Sequence, residues 1–162
     1  MESINLLRFI GIMLIFSTIV FYSIVEKKKK ERKQRELLRK SGIYEVDRMT
    51  GEEFEVFLEN LFQTMGCIVR KTKTSDDYGA DLVIETNSKT IVVQAKCSKD
   101  KVGIKAVEEM VSNKSYYEAD EYWAVTNNYF TVPAVKFGYS NGVYLFDKDT
   151  LIDWIITEYK VE

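Results

Sequence analysis

The sequence predicts an α/β sandwich, with helices on both faces of a mixed central sheet and one apolar helix ahead of it. Three observations carry this. Residues 9–25, FIGIMLIFSTIVFYSIV, hold no charged side chain. Residues 81–85 and 90–96 alternate apolar with polar side chains on either side of Asn87, Ser88 and Lys89, the pattern of a β-hairpin. The remaining segments give the order helix, three strands, helix, strand, helix, strand, helix, which places helices on the faces of a sheet.

The apolar run extends back to Ile4 with only Arg8 inside it, and a long cationic side chain near a helix end can reach the headgroups. At ~1.5 Å per residue the run spans roughly 33 Å, enough to cross a bilayer core. Charge follows the run instead of preceding it, and no Ala-x-Ala cleavage site is present, which argues for a transmembrane anchor over a removed signal peptide. Residues 1–25 are therefore expected to be the anchor and residues 26–42, EKKKKERKQRELLRKSG, a basic stalk. Dense Lys and Arg mark the cytoplasmic side. The expected protein is single-pass in the cell membrane, with residues 43–162 facing the cytoplasm. The stalk is a charged helix obeying the topology rule, or a surface that also meets anionic lipid or DNA phosphate.

Composition removes several chemistries. The chain of 162 residues has no histidine, which excludes His-based triads, His phosphotransfer and Cys/His zinc sites. Cys67 and Cys97 lack CxxC spacing and read as small hydrophobes in a reducing compartment. No GxxxxGK[ST] loop occurs, so ATP-driven chemistry is not expected. Residues 1–42 hold ten of the 23 Lys+Arg and four of the 25 Asp+Glu, leaving thirteen basic and twenty-one acidic residues beyond them, a net of −8. Such an acidic body does not favour sequence-independent DNA binding, unless basic residues collect at one cleft.

The globular part reads as follows. Residues 47–65 form the first helix, with Thr50 and Glu53 as a capping box, Phe54, Phe57, Leu58, Leu61 and Phe62 as the buried stripe, and Gly66 past its end. Residues 67–73 are a short strand, and a polar loop with Asp76, Asp77 and Gly79 leads to the hairpin. Residues 103–117 are the second helix, with Ile104, Val107, Met110 and Val111 inward. Residues 122–126 form an aromatic and β-branched strand bounded by Asn127 and Asn128. Thr131 and Pro133 open a third helix, residues 142–146 are the last strand, and Asp149 or Thr150 caps a final helix over 151–159.

The hairpin carries the chemistry. With a side-chain period of two, Asp81, Val83 and Glu85 share one face of its first strand, and Thr90, Val92, Gln94 and Lys96 share one face of its second. In the simplest register a carboxylate, an amide oxygen and an ammonium converge at the open end. Two oxygens of this kind suit a hard cation such as Mg²⁺, and a lysine beside it can orient a water or stabilise charge on phosphorus. The same pattern is also that of a half-buried hairpin with solvated charges at one end. Asp76 and Asp77 are turn formers or supplementary ligands. Glu55 lies one position off the apolar stripe, facing either solvent or the open end of the hairpin.

GADLVI and, thirteen residues after Asp81, QAK resemble the catalytic core of the PD-(D/E)xK nuclease superfamily, most closely its Mrr-type restriction endonuclease branch, where Gln stands in for the acidic residue. GEEFEVFLENLFQTMGC is similar to the leading helix of that branch, KTSDDYGADLVI to its approach to the catalytic Asp, and residues 102–134 and NGVYLFDKDTL to the segments that follow. The similarity spans about residues 47–155, five motifs in order. It implies a restriction-endonuclease-like α/β/α sandwich over residues 43–162. It implies Asp81, Gln94, Lys96 and Glu55 as the catalytic set, with Asp81, Gln94, the Ala95 carbonyl and Glu55 as ligands of Mg²⁺ or Mn²⁺. The expected reaction is phosphodiester hydrolysis leaving a 5′-phosphate, by an endonuclease acting in DNA restriction against foreign or modified DNA. Lys73, Lys99, Lys101, Lys105 and Asn127 are the candidate DNA contacts. Two other readings stand beside it: a nuclease-fold module that tethers DNA or a protein partner at the membrane without cutting, and a structure-selective nuclease resembling Holliday-junction resolvases. The last implies a homodimer.

Overall fold

A computed structural model of the chain describes residues 13, 16–30, 42–72 and 80–158. The chain divides into two compact units, Met1–Leu38 and Arg39–Glu162. In the first, residues 16–30 are helical, with exposed apolar side chains such as Phe16, Ile19 and Phe21. Among the described residues no helix is long and apolar enough to cross a membrane. Most of the expected span, from Ile4 to Ile15 apart from Met13, lies outside the described residues, as does the expected stalk from Glu31 to Ser41.

In the second unit helix α1 (Gly51–Thr64) is followed by strands β1 (Ile68–Lys71), β2 (Leu82–Glu85) and β3 (Thr90–Lys96). Helix α2 (Ile104–Asn113) runs into a 3₁₀ turn, Lys114–Tyr116, and leads to β4 (Glu121–Thr126). Helix α3 (Val132–Ser140), β5 (Tyr144–Phe146) and helix α4 (Lys148–Glu158) complete the order. The sheet is mixed, in the order β1-β2-β3-β4-β5. β1, β2 and β3 pair antiparallel; β3, β4 and β5 pair parallel through the crossover helices.

β3 and β4 bury residues on both faces, because helices cover each side, whereas β1 at the edge buries only Val69. Phe54, Leu58, Leu61 and Phe62 of α1 and Leu151 and Ile155 of α4 pack on Val69, Leu82, Ile84, Ile91, Val93 and Val125. Val107 and Met110 of α2 and Ala134 of α3 pack on Val92 and Ala124 from the other side. Alternation along β3 therefore sends Val93 to α1 and Val92 to α2, as a period of two requires. The three-layer α/β arrangement expected from the segment order is the one observed.

Element ends differ from expectation in several places, each with a local cause. The first helix begins at Gly51, not at Asp47, because Thr50 caps it: its hydroxyl accepts from the Glu53 N–H at 3.2 Å and its own N–H donates to the Glu53 carboxylate at 2.7 Å. Gly66, at φ +83°, takes the left-handed position past the end of this helix. The final helix is capped by Asp147, whose Oδ1 accepts from the N–H groups of Asp149 and Thr150, and not by those two residues. Gly103 is the N-cap of α2, which leaves Ile104 exposed at the helix start and not inward. The last strand starts at Tyr144, because Gly142 at φ +62° closes the turn after α3. Both cysteines are free and half-buried.

Candidate active site

Asp81 stands one residue ahead of β2, its N–H donating to the Val93 carbonyl at 2.9 Å. The register pairs Leu82 with Val93 as well, so two successive residues meet one partner and the ladder steps out of register at Asp81. Val92, Gln94 and Lys96 share one face of β3, the one covered by α2 and α3. Gln94 and Lys96 thus share a face, while Asp81 reaches the edge of β3 at Ala95.

The Asp81 carboxylate is fixed by the strand beside it: Oδ2 accepts from the Ala95 backbone N–H at 2.7 Å. The carbonyl of a strand residue leaves on the same edge as its N–H. Ala95 thus turns its carbonyl toward Asp81 as well. Burial pushes the Asp81 carboxyl up to about 6, against the Ala95 N–H, which favours the ionised form. Glu55 adds to the rise by like charge, while the Lys96 and Lys71 ammonium groups oppose it. Glu55, on α1, therefore lies within electrostatic reach of Asp81, toward the site and not simply in solvent. Its Oε2 meets Lys71 Nζ at 3.3 Å.

Gln94 is 3% exposed, and its Oε1 is buried with no hydrogen-bond partner. A buried amide oxygen left unsatisfied is costly and calls for an explanation. Lys96 Nζ contacts Glu109 Oε2 of α2 at 3.2 Å. Among the described residues no group of three or more His, Cys, Asp and Glu side chains is placed to hold a metal. The oxygens expected of the site, two carboxylates, an amide and a backbone carbonyl, are donors of the type that suits Mg²⁺ or Mn²⁺.

The remaining candidates divide. Lys99, Lys101 and Lys105 are exposed, on the loop after β3 and on the first turn of α2. Lys73, Asp76, Asp77 and Gly79 lie outside the described residues. Asn127 is not a surface group: it is 2% exposed, its Oδ1 accepts from the Ser98 N–H at 2.7 Å and its Nδ2 donates to Asp47 at 3.2 Å. With both ends of its amide engaged, it organises the loop after β3 and is corrected from the DNA contacts. Thr126 and Asn128 do related work, binding the carbonyls of Lys96, Ser98 and Lys99.

Lys71 is one of the basic residues that the sequence gathers around the hairpin, whereas Glu109 was not legible as a site residue. For Lys71 a signal existed: antiparallel pairing of the first two strands sets it opposite Leu82, next to Asp81. For Glu109 the partner is 13 residues away, across a crossover, and the sequence pattern shows only an exposed helix glutamate.

Residues 46–155 match the Mrr_cat family model, described as restriction endonuclease. No curated protein matches the chain. Solved structures with a similar fold include MspJI restriction endonuclease in complex with a 27-mer oligonucleotide, at 19% identity and a TM-score of 0.53 over 77% of this chain and 31% of that one. The DNA modification-dependent restriction endonuclease AspBHI aligns at 18% identity and a TM-score of 0.56, over 76% of this chain and 36% of that one. The protein of unknown function AF1548 aligns at 14% identity and a TM-score of 0.56, over 65% of each chain. The chain thus spans about a third of the first two and about two-thirds of the last.

Proposed function

Because the chain belongs to the Mrr_cat restriction endonuclease family and carries a restriction-endonuclease-like nuclease domain, we propose that it is a divalent-metal-dependent DNA endonuclease. The observation that carries the reading is the orphaned, buried Gln94 Oε1, next in sequence to the Ala95 N–H that holds Asp81 and two residues from Lys96. A bound cation or its water would satisfy that oxygen, and the donors around it fit a hard ion. The Asp81 carboxylate, Gln94 Oε1, the Ala95 carbonyl and Glu55 are the groups that would hold Mg²⁺, with Mn²⁺ as its substitute. When bound, the ion would supply Lewis-acid polarisation of the phosphate and a water of lowered pKa.

The protein groups have separate tasks. Asp81, pinned by the Ala95 N–H, presents a charged oxygen in a fixed direction. Lys96 orients the attacking water and stabilises charge developing on the phosphate oxygens. Lys99, Lys101 and Lys105 contact the DNA backbone and offset the acidic body. Support for DNA as the substrate comes from the family and from the relatives of this fold, one an oligonucleotide complex and one a modification-dependent enzyme. The apolar N-terminal run followed by basic residues supports a membrane anchor with the nuclease domain in the cytoplasm, where incoming foreign or modified DNA would be cut.

Two assays test this. The full chain in mild detergent is expected to nick plasmid DNA with Mg²⁺, to stop with a chelator, and to lose cleavage in Asp81→Ala and Lys96→Ala while both variants stay folded. Variants cutting as fast as the parent would place the chemistry elsewhere. The chain is also expected in the membrane fraction, and residues 26–162 alone in the supernatant; full chain in the supernatant would end the anchor reading. A tethering module without cleavage is the second reading, favoured by the neutral Gln94 in place of an acid and by the net charge of −8 beyond residue 42. DNA retention without any nicking is its signature.

A further inference from the structure

We propose that Glu109 is a positioning residue for hydrolysis, holding the Lys96 ammonium where the reaction needs it; this rests on the nuclease reading above. Lys96 ends β3, and its flexible four-carbon stem does not by itself fix where the charge sits. Glu109 supplies the missing constraint, its Oε2 lying 3.2 Å from Lys96 Nζ. The carboxylate comes from a rigid element: Val107 and Met110, 0% and 1% exposed, lock α2 against the sheet on either side of it in sequence. From that position Lys96 still acts electrostatically on Asp81, so one ammonium is shared between the α2 carboxylate and the site.

The pairing is selective. Glu108, next in sequence and also exposed, makes no ion pair among the described residues. Lys71 is held by Glu55 as Lys96 is held by Glu109. Each of the two cations acting on Asp81 thus has its own carboxylate on a packed helix, an arrangement that preorganises charge around the reacting phosphate.

The test compares Glu109→Ala with Glu108→Ala, which removes the same charge one position away. In the full chain, Glu109→Ala is expected to slow single-turnover cleavage at saturating DNA and Mg²⁺ by about tenfold while DNA affinity in Ca²⁺ stays within about twofold. Glu108→Ala is expected to leave both unchanged. Glu109→Gln keeps an oxygen that accepts from the ammonium and is expected to restore most of the rate. Glu109→Lys, exposed enough to keep the fold, is expected to be slower still. In the metal-free protein the Lys96 Nζ signal in ¹⁵N NMR is expected to show slowed proton exchange in the parent and in Glu108→Ala, lost in Glu109→Ala. A parent that cuts with Glu109→Ala equally fast, or with Glu108→Ala equally slow, overturns the positioning role alone. A slow Glu109→Ala with an unchanged Lys96 signal overturns it too. A parent that cuts no DNA overturns the nuclease reading, and this role with it.

Discussion

The Asp81 carboxylate accepts a hydrogen bond from the backbone N–H of Ala95 at 2.7 Å, and the neighbouring side chain of Gln94 holds a buried oxygen with no partner. One strand thus orients the acid by its backbone and presents a second oxygen donor by its side chain. Since a strand fixes both, the site's geometry belongs to the sheet and not to a loop.

Burial lifts Asp81 to about 6 from the ordinary 3.8, so in the metal-free protein its proton stabilises the folded state. For a folded pKa raised above the unfolded one, that stability is complete below about 4 and is lost as pH rises through about 6. Two units correspond to at most about 3 kcal/mol, less the share screened by solvent. Asp81→Asn is therefore expected to unfold later than the parent at pH 8 in chelator, by about 2 kcal/mol, with the gap narrowing as pH falls through about 6 and closing only below about 4. Denaturant titrations across this pH range check this.

Cleavage should follow the same group with the opposite consequence. Only the ionised Asp81 can hold a cation, so metal affinity and cleavage are expected to fall as pH drops through about 6. A pH–rate profile at fixed Mg²⁺ reads the midpoint; a flat profile from 5 to 8, roughly the range in which carboxylates of this kind titrate, would contradict it.

Lys71 and Glu55 bias Asp81 in opposite directions, the ammonium lowering its pKa and the carboxylate raising it. Lys71→Met is expected to move the Asp81 midpoint up, and Glu55→Gln to move it down. Carboxyl ¹³C NMR titration of the metal-free protein measures both, and shifts of equal sign would break the account of the site's charges.

Part of this was legible in the sequence because β3 follows a period of two: the shared face of Gln94 and Lys96 follows from counting, whereas the place of Asp81, where the ladder steps out of register, does not. The capping box at Thr50 and the left-handed Gly66 were legible for the same reason, each being a local rule. What was not legible depends on how distant elements meet. Asn127 reads as a polar strand end open to DNA; it is buried because Asp47, before α1, and Ser98, after β3, both close on it. Glu109 joins Lys96 only once the crossover between the parallel strands β3 and β4 has brought α2 beside the end of β3.

Asn127 gives a stability prediction with no role in chemistry. Asn127→Ala would leave the Ser98 N–H without its acceptor in a 2% exposed position, and is expected to cost about 1–3 kcal/mol. Equilibrium denaturation measures the loss, and an unchanged midpoint would mean the loop after β3 is held by other bonds.

The most direct measurement is calorimetric titration of Mn²⁺ and Mg²⁺ into the full chain and into Gln94→Leu and Asp81→Asn. The account predicts binding in the parent in the millimolar range or tighter, weaker binding in Gln94→Leu, and none in Asp81→Asn. Heat that is the same in all three proteins, or no heat in the parent at millimolar metal, would contradict a cation site built on Asp81 and Gln94.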